Sequence, residues 1–101
     1  MQPLNVPRNT QWGIANDIND LGVTVGEVDI VQRRGKNLIG HDYFAYQWQA
    51  DGTSIDLITQ IDSGSGWERL SRGDQINNNG VVAGKGVYGE RDLAFIMTPK
   101  E

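Results

Sequence analysis

An all-β fold of two tandem four-stranded antiparallel repeat units is what the sequence predicts, and three observations predict it. One motif recurs along the chain. Short alternating runs are bounded by Asn-Gly and Asp-Gly signals, and no long run carries the i, i+3, i+4 periodicity of a helix.

The recurring motif is Ile18-Asn19-Asp20-Leu21-Gly22-Val23-Thr24-Val25-Gly26, which aligns without a gap on Ile76-Asn77-Asn78-Asn79-Gly80-Val81-Val82-Ala83-Gly84. Ile, Asn, Gly, Val and Gly fall at the same places, so Asn19, Gly22 and Gly26 in the first copy answer to Asn77, Gly80 and Gly84 in the second. The match extends both ways: Ala15 falls on Gly73, and Phe44-Ala45-Tyr46-Gln47-Trp48 resembles Leu93-Ala94-Phe95-Ile96-Met97. The spacer from Gly26 to Ala45 is longer than that from Gly84 to Ala94. Copy one therefore holds an insertion, placed at about residues 30–41 and read as a longer, basic hairpin loop around Gln32-Arg33-Arg34-Gly35-Lys36-Asn37. The organisation is a lead-in over 1–11, repeat 1 over 12–62 and repeat 2 over 63–101.

Local chemistry justifies each element. Asn78-Asn79-Gly80 is a hairpin signal because Asn and Gly tolerate the positive φ of tight connections, and Asp20-Leu21-Gly22 can make the same corner. Val23, Val25 and Val81 are β-branched and favour pleated backbone. Gly26 and Gly84 end the strand that follows or permit a bulge. Further strands are expected over 42–49 and 54–61, joined by Ala50-Asp51-Gly52-Thr53. In the first of these, Phe44, Tyr46 and Trp48 alternate with Tyr43, Ala45 and Gln47 and are expected to face the core. Asp62-Ser63-Gly64-Ser65-Gly66 reads as the linker between repeats.

Composition narrows the function classes. With 38% hydrophobic residues and 13 glycines in 101 positions, the chain is rich enough to fold as one domain with a modest core. A net charge of −4 opposes a phosphate backbone, so no nucleic-acid partner is expected. The absence of cysteine excludes disulfides and thiolate metal sites. Met1-Gln2-Pro3-Leu4-Asn5-Val6-Pro7-Arg8 has neither the basic nor the apolar region of an export leader, and no apolar run is long enough for a membrane span.

Copy two, with Gly64-Ser65-Gly66-Trp67-Glu68-Arg69-Leu70, the Ile76 to Gly84 motif and Ala94-Phe95-Ile96-Met97-Thr98-Pro99, resembles the HAF repeat family of extracellular proteins, over residues 12–99 when copy one is included. That family's pattern runs Ser-Gly-Trp, Leu, Ala, Ile-Asn-x-x-Gly-x-x-x-Gly, His-Ala-Phe, Thr-Pro. This chain has Phe44 and Leu93 where the family has its histidine. The resemblance implies a secreted or cell-surface β-repeat protein with units like the blades of a β-propeller. It implies no reaction. Because each unit leaves an apolar face for a neighbour, and propellers close with about four to eight blades, two units are expected to require partners: further repeats of a longer chain or other copies of this one.

Several motifs imitate chemistry. Gly84-Lys85-Gly86-Val87-Tyr88-Gly89 fits G-x-G-x-x-G, but no helix can follow it and no acidic residue stands about twenty positions on, so no cofactor is expected. Asp17 and Asn19 with Gly22 match positions 1, 3 and 6 of a calcium loop, yet Leu21 and Val28 occupy positions that need oxygen ligands. His41 could join Ser54, Ser63, Ser65 or Ser71 and an aspartate in a hydrolase triad, but there is no G-x-S-x-G elbow, and a histidine beside Gly40 and Asp42 reads as an exposed strand-end residue. Arg72-Gly73-Asp74 is an adhesion tripeptide only on a loop tip, and the repeat puts it at the start of a strand. Trp12, Trp48 and Trp67 offer aromatic area for a sugar or an interface, although Trp12 and Trp67, each ahead of an Ile-Asn corner, read as a repeated packing pair. The expectation is a non-enzymatic binding or assembly module, with a carbohydrate-recognising or hydrolase-like propeller as the alternative.

Overall fold

A computed structural model gives the structure of the chain and describes residues 3–62 and 64–99. Met1, Gln2, Ser63, Lys100 and Glu101, each within a segment read above, lie outside the described residues. The fold is all-β. Strands β1 (Thr10–Ile18), β2 (Thr24–Arg34), β3 (Asn37–Trp48) and β4 (Ser54–Asp56) form one antiparallel sheet in chain order, and β5 (Trp67–Ile76), β6 (Val82–Tyr88) and β7 (Arg91–Met97) form a second. Among the described residues the second sheet thus has three strands where four are expected. After Met97 come Thr98 and Pro99, both exposed, and Pro99 has no N–H to give a ladder.

The two corners have the same construction. In each, an asparagine side chain takes the place of a missing backbone partner: Asn19 Oδ1 accepts from Leu21 and Val23 N–H, and Asn77 Oδ1 accepts from Asn79 and Val81 N–H, all at 3.0 Å. Gly22 and Gly80 follow at φ 81° and 82°, a left-handed conformation that suits glycine, and each donates its N–H to that asparagine's carbonyl. Gly26 and Gly84 sit inside β2 and β6 rather than at their ends. Each faces a bulged partner strand, and a Cβ on either would fall on a carbonyl oxygen, of Ile14 or of Arg72.

The insertion is strand, not loop. Cross-strand pairing continues through Val31↔His41 to Arg34↔Asn37, leaving a short turn at Gly35 and Lys36, so copy one differs from copy two by a longer hairpin. Residues 54–61 also depart from expectation. Only three pair with β3 before Leu57–Gln60 turns into a 3-10 helix, whose first turn Asp56 caps by accepting from Ile58 N–H at 3.3 Å.

The sheets pack face to face around Val25, Ala45, Leu57, Leu70, Ile76, Val82 and Phe95. Burying each large aliphatic side chain contributes about 1.5–3 kcal/mol. The first sheet is buried on both faces. Val25 and Ala45 point to the second sheet, whereas Val28, Tyr46 and Trp48 form a separate cluster on the far side with Ile30 and Phe44. Tyr46 and Trp48 are buried as expected, but Ala45 between them is buried too, because β3 lies inside a layered stack.

Candidate functional site

The register pairs Gly26 with Tyr46 and Gly84 with Phe95, which fixes the equivalence of the two sheets residue by residue. Val25 and Ala45 are equivalent to Ala83 and Ala94, Gln47 to Ile96, and Trp48 to Met97. Val25 and Ala45 are fully covered by the second sheet. Of their counterparts, Ala83 is only half-buried and Ala94 is exposed, and Ile96, paired with Ala83, is 72% exposed on the outer face. The second sheet therefore presents outward the kind of face that, on the first sheet, receives a neighbour.

Successive units are also joined at their corners. Asn19 Nδ2 donates to Asn77 O at 3.0 Å, Asp20 N–H donates to Asn78 Oδ1 at 2.8 Å, and Asn78 Nδ2 donates to Asp20 Oδ2 at 2.8 Å. Asn16 Nδ2 reaches Gly73 O, and Ile76 N–H donates to Asp17 Oδ2. Asp17 Oδ1 accepts from Ile18 N–H, and Asn19 Oδ1 already holds two backbone groups. The oxygens of the calcium pair Asp17 and Asn19 are thus engaged in tying corner to corner. No group of three or more ligating residues that could hold a metal occurs among the described residues.

The far face of the first sheet is crossed by the lead-in. Trp48 is 1% exposed, and its Nε1–H donates to Asn5 O at 2.6 Å, while Asn5 Nδ2 donates to Gly52 O. Pro3, Leu4 and Val6 line a groove with Trp12, Gly13 and Trp48 on this face. Leu4 and Val6 remain partly exposed. Trp48 is a packing residue here rather than an open contact.

The other two tryptophans are not equivalent. Trp67 pairs with Tyr88 and is half-buried against Tyr88 and Phe95, between the sheets. Trp12 pairs with Asp29, whose counterpart in the second sheet is Val87, and Val87 pairs with Arg69 instead. The longer hairpin extends the first sheet there, leaving Trp12 and Tyr43 exposed with ring centroids 5.5 Å apart. His41 stacks edge-on to Tyr43, and its Nδ1 lies 2.8 Å from Asp29 Oδ1. The Asp29 side chain is 4% exposed. Sequence reasoning missed this patch, because its partners face one another only once the inserted residues pair as strand.

The remaining motifs are structural. His41 lies within β3, and no serine hydroxyl bonds to it among the described residues. Arg72-Gly73-Asp74 lies in the middle of β5, not at its start. Arg72 Nε pairs with Asp74 Oδ1 at 2.6 Å, and buried Gly73 packs against Val25. Gly84-Lys85-Gly86 belongs to β6, which turns back into β7. Burial pushes the Glu27 carboxyl above its ordinary range, the Arg72 charge opposes this, and the Asp74 charge adds to it. No helix is long and apolar enough to cross a membrane among the described residues.

Comparison of the chain with family models, with curated proteins and with solved structures finds no match.

Proposed function

We propose that this chain is a non-enzymatic assembly module of the HAF-repeat type, acting outside the cell, whose two units stack as successive blades of a propeller-like ring. The observation that carries the reading is the open outer face of the second sheet. Ala94 is exposed and Ala83 only half-buried at the places where Ala45 and Val25 are fully buried beneath a following unit. Ile96, where the first sheet has Gln47, makes that face more apolar. A ring of about four to eight units needs about two to four copies of a two-unit chain.

Light scattering coupled to size exclusion tests this. The expected mass is an integral multiple of the 11.2 kDa chain, two- to fourfold. Ile96→Lys should shift it to the monomer while the circular dichroism spectrum is kept. A folded wild-type monomer at tens of micromolar overturns the reading.

A second reading has one specific observation in its favour. Exposed Trp12 and Tyr43, beside the polar His41, form an aromatic platform of the sort that stacks on a sugar ring. A glycan screen with the wild type and Trp12→Ala separates it from assembly, since this reading requires a hit that Trp12→Ala abolishes.

A further inference from the structure

We propose that the lead-in of one copy adds as a fourth strand to the edge of β7 in a neighbouring copy, so that copies are joined by exchanged strands as well as by stacked faces. The inference rests on the assembly reading above.

Three features of the chain converge on it. The first sheet has a fourth strand: β4 pairs with Tyr46, Gln47 and Trp48 on β3. The equivalent residues Phe95, Ile96 and Met97 pair with β6 alone, and no further backbone hydrogen bond leaves β7 among the described residues. Beside this edge runs an open groove of about 530 Å³, lined by Trp67, Leu70, Phe95 and Met97 on one side and by Gln60, Ile61 and Ser65 on the other. An edge with unpaired N–H and C=O groups next to an apolar groove is the template for strand addition.

The second feature is the order of the chain. The segment just before β5 serves two units at once: Ser54–Asp56 completes the first sheet, and Leu57 then packs between the sheets against Leu70, Val82 and Phe95. The segment before β1 already does the second of these jobs. Val6 lies against Gly13, and Asn5 holds the Trp48 indole, on the face of the first sheet equivalent to the one Leu57 covers. By the same geometry its first job is to complete the sheet of the unit that precedes it. In an assembly that sheet is the second sheet of another copy.

The third feature is the lead-in itself. Leu4 and Val6 alternate with Asn5, as the side chains of a strand do, and both are partly exposed. No backbone–backbone hydrogen bond holds residues 3–6 among the described residues. Pro3 and Pro7 suit an outermost strand, which has one side with no ladder to feed.

The chain has no cysteine, so engineered disulfides report contacts cleanly. Leu4→Cys and Ile96→Cys would be made as separate single variants, mixed and oxidised. A disulfide between the two different chains, formed in preference to either homodimer and absent when Ile96→Cys is replaced by Lys85→Cys on the middle strand, is the expected result. An assembled protein whose Leu4→Cys and Ile96→Cys chains do not cross-link overturns the strand exchange and leaves face stacking standing. A protein that never assembles overturns both. Deletion of residues 1–7 gives an independent readout. Asn5, one of those residues, also holds the Trp48 indole, so the fold of the truncated chain is checked by circular dichroism. An added peptide of residues 1–9 should restore the assembled mass of the truncated chain, and a truncated chain that assembles fully without the peptide refutes the proposal.

Discussion

The side-chain amide of Asn19 donates to the backbone carbonyl of Asn77 at 3.0 Å, so residues 58 positions apart, equivalent within their own units, touch each other directly. The relation is one-sided. Each asparagine uses Oδ1 to hold its own turn, but only the Asn19 amide bridges the units, and no described residue accepts from the Asn77 amide. Asn77→Asp keeps the turn acceptor and should change stability by less than about 0.5 kcal/mol. Asn19→Asp keeps its turn as well, but it loses the bridge and sets a carboxylate against a carbonyl, at a cost of about 1–3 kcal/mol. Urea denaturation of the two variants checks the asymmetry, and equal losses contradict it.

Gly26 and Gly84 invite a sharper comparison. A Cβ at either position falls on a carbonyl of the opposing bulged strand, whereas a Cβ at Gly40 meets nothing within 4 Å. Alanine at Gly26 or Gly84 must push two strands apart, and the expected loss is about 2–4 kcal/mol. Gly40→Ala should be within about 0.5 kcal/mol of wild type or better, since strand backbone favours a residue with a side chain. Thermal melts of the three variants decide the matter.

The corners are legible in the sequence because their chemistry is local: an asparagine and a glycine at fixed spacing specify the turn whatever surrounds it. The bulges opposite Gly26 and Gly84 are only half legible, since a glycine repeated at the same place in each valine-rich run marks either a strand end or a bulge, and the pairing alone decides for the bulge. The inserted hairpin is not legible. Gln32 to Asn37 is polar and basic, and its pairing is imposed by the register running up from Val28↔Phe44, which no local pattern encodes. The same holds for Trp12 and Trp67. Their distances from the Ile-Asn corners look comparable, but bulges between Trp67 and Arg69, Leu70 and Arg72, and Gly73 and Gln75 turn β5 relative to β1, so the two rings meet different neighbours. The 3-10 turn at Leu57–Gln60 depends on Asp56 choosing to cap Ile58, a competition that strand propensity alone does not resolve.

Asp56 also gives the fold a pH dependence. Burial pushes its carboxyl above the ordinary range, and the hydrogen bond from Ile58 N–H only partly offsets this. A carboxyl with a raised folded pKa binds its proton more tightly in the folded than in the unfolded chain. Its contribution is therefore fully present below the unfolded pKa and is lost as pH rises through the folded value. Asp56→Asn keeps an oxygen to cap Ile58 and removes the buried charge. It should be more stable than wild type at neutral pH, and the gap should shrink as the pH is lowered through the carboxylate range. Urea midpoints across pH 3–7 test this, and a gap that widens on acidification has the wrong sign.

The pair of His41 and Asp29 is the part of the first sheet with no counterpart in the second. Asp29 is 3% exposed, and His41 Nδ1 at 2.8 Å is its hydrogen-bond partner, whereas the equivalent position in β6 holds Val87. A buried carboxylate deprived of its partner costs about 3–5 kcal/mol, because nothing then offsets its removal from water. Since the His41 side chain is 48% exposed, water can enter once the ring is gone, and the loss for His41→Ala should fall to about 1–3 kcal/mol. Adding Asp29→Val to His41→Ala places in the first sheet the residue the second already uses, and most of the lost stability should return. The double variant must therefore be more stable than His41→Ala alone. If the two losses instead add, Asp29 is held by something other than the imidazole, and the pair is not the unit that the geometry describes.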